Sequence, residues 1–123
     1  LRKRCGDEEL AEACRRVLER HPEVSSLRLL KELVSREVEC AFSAKRLLRI
    51  VATSGFAGIR VVRRRGMQGG RCPLCGSEME ARRAHDLYMR EVKAGMRCAV
   101  CGYSVSRTDR VPARYSFYRR LVG

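Results

Sequence analysis

Four cysteines in two matched pairs, Cys72-Pro-Leu-Cys75-Gly76 and Cys98-Ala-Val-Cys101-Gly102, are the residues here whose type and spacing dictate chemistry most directly. In each C-x-x-C-G turn two thiolates converge, and the glycine after the second cysteine relieves the strain of a tight turn. Two such knuckles supply four sulfurs for one tetrahedral Zn2+. Four thiolates fill the tetrahedron and leave no position for water or substrate, so the expected ion is structural rather than catalytic. A pair of CxxC redox motifs would instead call for a surrounding βαβ pattern, which is missing.

The other three cysteines need separate treatment. Cys14 falls on the apolar stripe of the first expected helix and reads as a buried small hydrophobe. Cys5 and Cys40 flank helices with no His or Asp at ligand spacing, and a disulfide such as Cys14 to Cys40 stays open. No Walker loop, HExxH, GxSxG or paired-carboxylate constellation is present, and His21 and His85 have no spaced partners. Neither an enzyme nor a small-molecule substrate is therefore expected.

Charge indicates the class of partner. The 123 residues carry 27 Lys+Arg against 14 Asp+Glu, a formal net charge of +13, and 23 of the basic residues are Arg. That excess implies a polyanion, nucleic acid before an acidic membrane surface, although codon bias also raises Arg content. Residues 1–58 hold 12 basic and 9 acidic side chains, residues 59–123 hold 15 and 5, so the second half is the expected contact region. No apolar run is long enough for a membrane span, and a soluble, cytoplasmic protein is expected. Asn and Trp are absent and Gln68 is the one Gln, a thermophile tendency that points to an archaeal source.

The elements that must position these residues follow from apolar periodicity. Asp7 is the expected N-cap of a helix running to about Arg20, with Leu10, Cys14, Val17 and Leu18 on one stripe. Ser25 or Ser26 caps a second helix carrying Leu27, Leu30, Leu33 and Val34. Ser43 caps a third over Ala44 to Ser54, closed by Gly55. Ile59 to Arg65 reads as a strand; its three consecutive arginines must point to both faces, so one would be buried unless a polyanion covers that side. Between the knuckles, Glu78 to Ala84 and Asp86 to Lys93 read as a hairpin, with Ala94-Gly95 as a turn before Met96. The C-terminal stretch from Arg107 to Arg120 interleaves Arg with aromatics. Tyr115 and Phe117 suit core packing there, and Tyr118, Arg119 and Arg120 suit RNA contact.

Residues 7 to about 65 resemble a winged helix-turn-helix. That resemblance implies that Ser43, Lys45, Arg46, Arg49 and Thr53 read a groove and that Arg60, Arg63, Arg64 and Arg65 are wing contacts. The second wing strand is missing from the expected place. Residues 71 to about 107 resemble the zinc ribbons of transcription factors, polymerase subunits and ribosomal proteins, and the whole chain resembles archaeal proteins that join these two modules. The expected fold is therefore α+β: a three-helix winged-helix-like module over 1–65, a Gly-rich joint over 66–70, and a four-cysteine zinc ribbon of short antiparallel strands over 71–123. The implied function is that of an RNA-binding structural protein of a ribonucleoprotein, ribosomal or ribosome-associated, touching rRNA and neighbouring ribosomal proteins. Its contacts would be Lys45, Arg46, Arg49, Arg60, Arg63, Arg64, Arg65, Arg82, Arg83, Arg114, Tyr118, Arg119 and Arg120. The alternatives are a DNA-binding transcription regulator and a protein-only adaptor.

Overall fold

Leu10, Ala13, Cys14, Val17 and Leu18 recur every three or four positions, and all five are buried along one stripe of α1 (Asp7–Arg20). The computed structural model of the chain describes residues 3–106 and 110–120. Gly6, not Asp7, takes the extended N-cap backbone; Asp7, Glu8 and Glu9 instead fill the first turn, where carboxylates favour the positive end of the helix dipole. After β1 (Glu23–Val24), Ser26 accepts a hydrogen bond from the Leu29 N–H at 3.1 Å and opens α2 (Leu27–Ser35). Ser43 does the same for the Arg46 N–H at 3.1 Å, opening α3 (Ala44–Ser54), and Gly55 closes it at φ 82°.

The remaining elements are strands: β2 (Ala57–Arg65), β3 (Glu80–His85), β4 (Glu91–Arg97), β5 (Ser104–Val105) and β6 (Arg110–Arg119). They form two three-stranded sheets, β1-β6-β2 and the antiparallel β3-β4-β5. In the first, β6 runs antiparallel to β1 with Val24 opposite Phe117, and it also borders β2. The partner that β2 lacks nearby in sequence thus comes from the C-terminal end of the chain.

The chain divides into two compact units, Leu1–Val62 with Arg114–Gly123, and Arg63–Ala113. This departs from the expected boundaries. Residues 114–120 belong with the helices rather than with the cysteines, and the glycine-rich segment 66–70 lies inside the second unit instead of joining two modules. Phe117 explains the first difference: it is 1% exposed and completes an apolar core built from Leu10, Leu18, Val24, Leu30, Leu47 and Val51. The Tyr118 ring rests on Gly58, where an added Cβ would lie 1.9 Å from its Cζ.

In the cysteine unit the hairpin turn sits at residues 86–90, where the second strand was expected to begin at Asp86, and the further turn expected at Ala94-Gly95 is not formed. The Asp86 carboxylate accepts from the Tyr88 N–H at 2.8 Å, the Arg90 N–H at 3.0 Å and the Arg90 Nε at 3.0 Å, closing a local turn through its side chain. Ala94-Gly95 lies within β4, where the pairing slips between Ala81↔Met96 and Arg83↔Lys93 and leaves an extra residue on that strand. Gly95 at φ 108° serves this bulge, and a Cβ there would stand 2.0 Å from the Val105 carbonyl oxygen. Arg63, Arg64 and Arg65 are all exposed, so none of the three is buried within the chain. Among the described residues no helix is long and apolar enough to cross a membrane.

Candidate functional site

The two knuckles fold alike. The Cys72 N–H donates to the Ser77 carbonyl at 2.7 Å and the Gly76 N–H to the Cys72 carbonyl at 2.9 Å; the Cys98 N–H donates to the Tyr103 carbonyl at 2.7 Å and the Gly102 N–H to the Cys98 carbonyl at 3.0 Å. Gly76 and Gly102 hold φ of 81° and 82°, a conformation that side chains disfavour and the tight turn demands. The four sulfurs come together. Cys72 Sγ lies 3.4 Å from Cys101 Sγ, Cys75 Sγ lies 3.4 Å from Cys98 Sγ, and all four fall within 4.8 Å of one another. A tetrahedron with metal–sulfur bonds of about 2.3 Å places its sulfurs about 3.8 Å apart, so the cluster fits one ion.

Electrostatics favours a cation at this place. Burial raises the Cys72 and Cys101 thiols, with hydrogen bonds to backbone N–H groups opposing it. For Cys75 burial also works upward, but hydrogen bonds from the Ser77 hydroxyl and N–H, and from Cys98 and Cys101, prevail and bring it down to about 7. Four thiolates at such distances repel, and a divalent ion is the partner that lets them coexist. Among the described residues, Cys72, Leu74, Cys75, Met79, Cys98, Tyr103 and Val105 are the buried apolar residues of this unit, too few to hold it by burial alone.

The other three cysteines separate cleanly. Cys5 and Cys40 form a disulfide with a Cα–Cα distance of 4.9 Å, in place of the Cys14–Cys40 pairing left open by the sequence. It fastens the N-terminal segment, whose Cys5 N–H donates to the Ala41 carbonyl at 3.0 Å, onto the connection between α2 and α3. Glu9 also approaches this pair, but the bond between the sulfurs leaves neither as a metal ligand. Cys14 is free and buried, its thiol pushed up to about 12 by burial, which makes it inert.

The expected nucleic-acid contacts are divided between the two units. Arg46 is half-buried against Asp7, with its Nε 3.2 Å from Asp7 Oδ1, and so is withdrawn from the exposed face on which Lys45 and Arg49 lie. Thr53 Oγ1 donates to the Arg49 carbonyl at 2.9 Å, back along its own helix. Arg60 pairs with Glu23 at 3.4 Å and stacks 4.6 Å above the Tyr118 ring, so these two expected contacts engage each other. Arg114, Arg119 and Arg120 are exposed; Arg107 lies outside the described residues.

In the cysteine unit Arg63 donates through Nη2 to the Ser104 carbonyl at 3.1 Å and lies 5.3 Å over the Tyr103 ring. Arg83 pairs with Glu91 at 3.4 Å. Arg63, Arg82 and Arg110 line one hollow of about 320 Å³ with Ser104, Val105 and Ser106. Arg110 was not singled out from the sequence, because only β6 brings it to this hollow. The hairpin tip was not singled out either: Leu87, Tyr88 and Met89, read as part of the strand from Asp86 to Lys93, are 98%, 79% and 76% exposed. Comparison with protein-family models, with curated proteins and with solved structures gives no match to this chain.

Proposed function

We propose that this chain is an RNA-binding structural protein of a ribonucleoprotein, of ribosomal or ribosome-associated type, with one structural Zn2+ on Cys72, Cys75, Cys98 and Cys101. The observation that carries the reading is what the arginines of the cysteine unit touch. Arg63, Arg64 and Arg71 donate to the carbonyls of Ser104, Arg65 and Gly76, which are neutral partners. Among the described residues no carboxylate pairs with these three or with Arg65, Arg82, Arg97 or Arg110, whereas Arg83 and Arg90 pair with Glu91 and Asp86. Guanidinium groups crowded without counter-charge raise the energy of the fold, and phosphate is the counter-charge their forked donors match best.

A DNA-binding reading draws on a different observation. The order α1, β1, α2, α3, β2, β6 with β6 between β1 and β2 supports a winged-helix reading in which β6 would be the second wing strand. Pairing of Arg46 with Asp7 leaves Lys45 and Arg49 as the exposed basic residues of α3, a thin set for groove reading, so RNA is preferred.

The test is binding of the purified chain to single-stranded RNA and to duplex DNA of equal length across a salt series. RNA binding that falls steeply with salt, together with co-sedimentation with ribosomal particles, is the expected result. Tight binding confined to a specific DNA duplex would transfer the assignment to a regulator. Salt-insensitive binding to protein alone would remove nucleic acid from the account.

A further inference from the structure

Arg63, Arg82 and Arg110 approach one another from three different strands. Arg63 lies on β2, Arg82 on β3 and Arg110 at the start of β6, and among the described residues no carboxylate lines the hollow they share. The rest of its wall is Ser104, Val105 and Ser106, the short segment that carries β5. The sequence spreads these arginines over 48 positions, so their meeting is a product of the fold and not of an arginine-rich run.

One of the three is already held in place. The Nη2 donor of Arg63 is spent on the Ser104 carbonyl, and its guanidinium lies over Tyr103, a residue buried beside the second knuckle. Its remaining N–H groups are thereby fixed in direction, which lowers the entropy lost when a ligand is bound. The side chains of Arg82 and Arg110 make no hydrogen bond or ion pair among the described residues, so their guanidinium donors are uncommitted. The bulge at Ala94-Gly95 contributes as well. It sits in β4 opposite Arg82, and the missing side chain of Gly95 lets the β5 backbone close in to 2.0 Å of where a Cβ would stand.

We propose that this hollow is a phosphate-binding site. Three guanidinium groups with no acid among the described lining residues match a tetrahedral oxyanion in charge and in donor geometry, whereas a carboxylate ligand would leave several donors unused. A hollow of about 320 Å³ is much larger than one phosphate, so it takes a phosphate with the sugar attached to it. The inference rests on the RNA reading for the source of that phosphate, since a nucleic-acid backbone and a free phosphate share the same chemistry.

The experiment uses the full chain and the double variant Arg82→Ala, Arg110→Ala, with Arg82→Lys as a second variant that keeps charge but loses the fork. Affinity for a single-stranded RNA oligonucleotide is measured across a salt series, and inorganic phosphate is titrated while the Arg63 Nε–H resonance is followed. The inference expects RNA binding whose log–log salt slope falls by about 0.7 in the double variant, the value of one phosphate contact on a single strand. Arg82→Lys keeps most of the slope and loses affinity. If wild type binds RNA steeply and the double variant matches it in slope and affinity, the hollow is not the site and the RNA reading survives. If wild type binds no RNA, that reading falls; saturable movement of the Arg63 resonance by phosphate, lost in the double variant, then supports a site for free phosphate, and a flat titration overturns the inference.

Discussion

The two units of this chain differ less in charge than in what their charges face. The helical unit holds 16 basic and 9 acidic side chains and the cysteine unit 11 and 5, so the strong bias between the two halves of the sequence softens once residues 114–120 are counted where they fold. Pairing separates them. In the helical unit Arg15 and Arg16 meet Glu12, Arg20 meets Glu37, Arg46 meets Asp7 and Arg60 meets Glu23. Such exposed pairs add little stability, but they neutralise the surface locally. The cysteine unit leaves most of its arginines facing carbonyls or solvent. Its cohesion comes from four sulfurs, where the helical unit has an apolar core and a disulfide. The helical unit carries its own core, and the cysteine unit is the one that the proposed metal and RNA would complete.

Withdrawing the metal would sharpen this contrast most. Chelation at neutral pH is expected to remove stabilisation on the order of 10 kcal/mol from the cysteine unit, seen as collapse of its amide resonances while the signals of α1, α2 and α3 persist. Simultaneous loss of both sets would show that the units do not stand apart. Next in size is Phe117→Ala, expected to destabilise the helical unit by about 3–5 kcal/mol in denaturant melts. A loss below about 1 kcal/mol would return the C-terminal strand to the cysteine unit. Cys5→Ser opens the disulfide and should cost the helical unit about 2–4 kcal/mol, leaving bound metal per chain unchanged.

The smallest effect is electrostatic and needs its sign worked out. Hydrogen bonding to Arg46, and then its charge, hold the exposed Asp7 carboxyl below its usual range; the hydrogen bond from Arg15 does the same for Glu12. A carboxyl whose folded value is depressed contributes stability above its unfolded value and loses it as pH falls through the folded one. Thermal melts should therefore show the helical unit weakening below about pH 4, and Asp7→Asn should flatten that dependence. An unchanged acid limb in the variant would show that the Asp7 pair contributes nothing.

What could be read from the sequence was what depends on near neighbours. The knuckles are legible because each needs only five residues, and the helices because Leu10, Cys14, Val17 and Leu18, or Leu47, Leu48 and Val51, repeat at helical spacing. The pairing of β6 with β1 and β2 was not legible, because the residues that meet lie far apart in sequence and alternation does not name a partner. Gly95 misled for a local reason: a glycine at positive φ serves a bulge as well as a turn, and only the register of β3 on β4 shows which was needed. The cysteine pairing was undetermined for the same reason as the sheet, since connectivity is a property of the fold. The arginine hollow lay beyond reach because it draws on three strands.

Because β2 leaves the helical unit and β6 returns to it, the cysteine unit is an insertion, and that has a consequence for how the chain is made. Phe117 is among the last described residues to leave a ribosome that is synthesising this protein, yet it lies at the centre of the sheet that α1, α2 and α3 require. The helices emerge early and must wait, with their apolar faces uncovered, until the whole insertion has been translated. Prompt closure of the knuckles would shorten the chain that has to be searched before β6 meets β1.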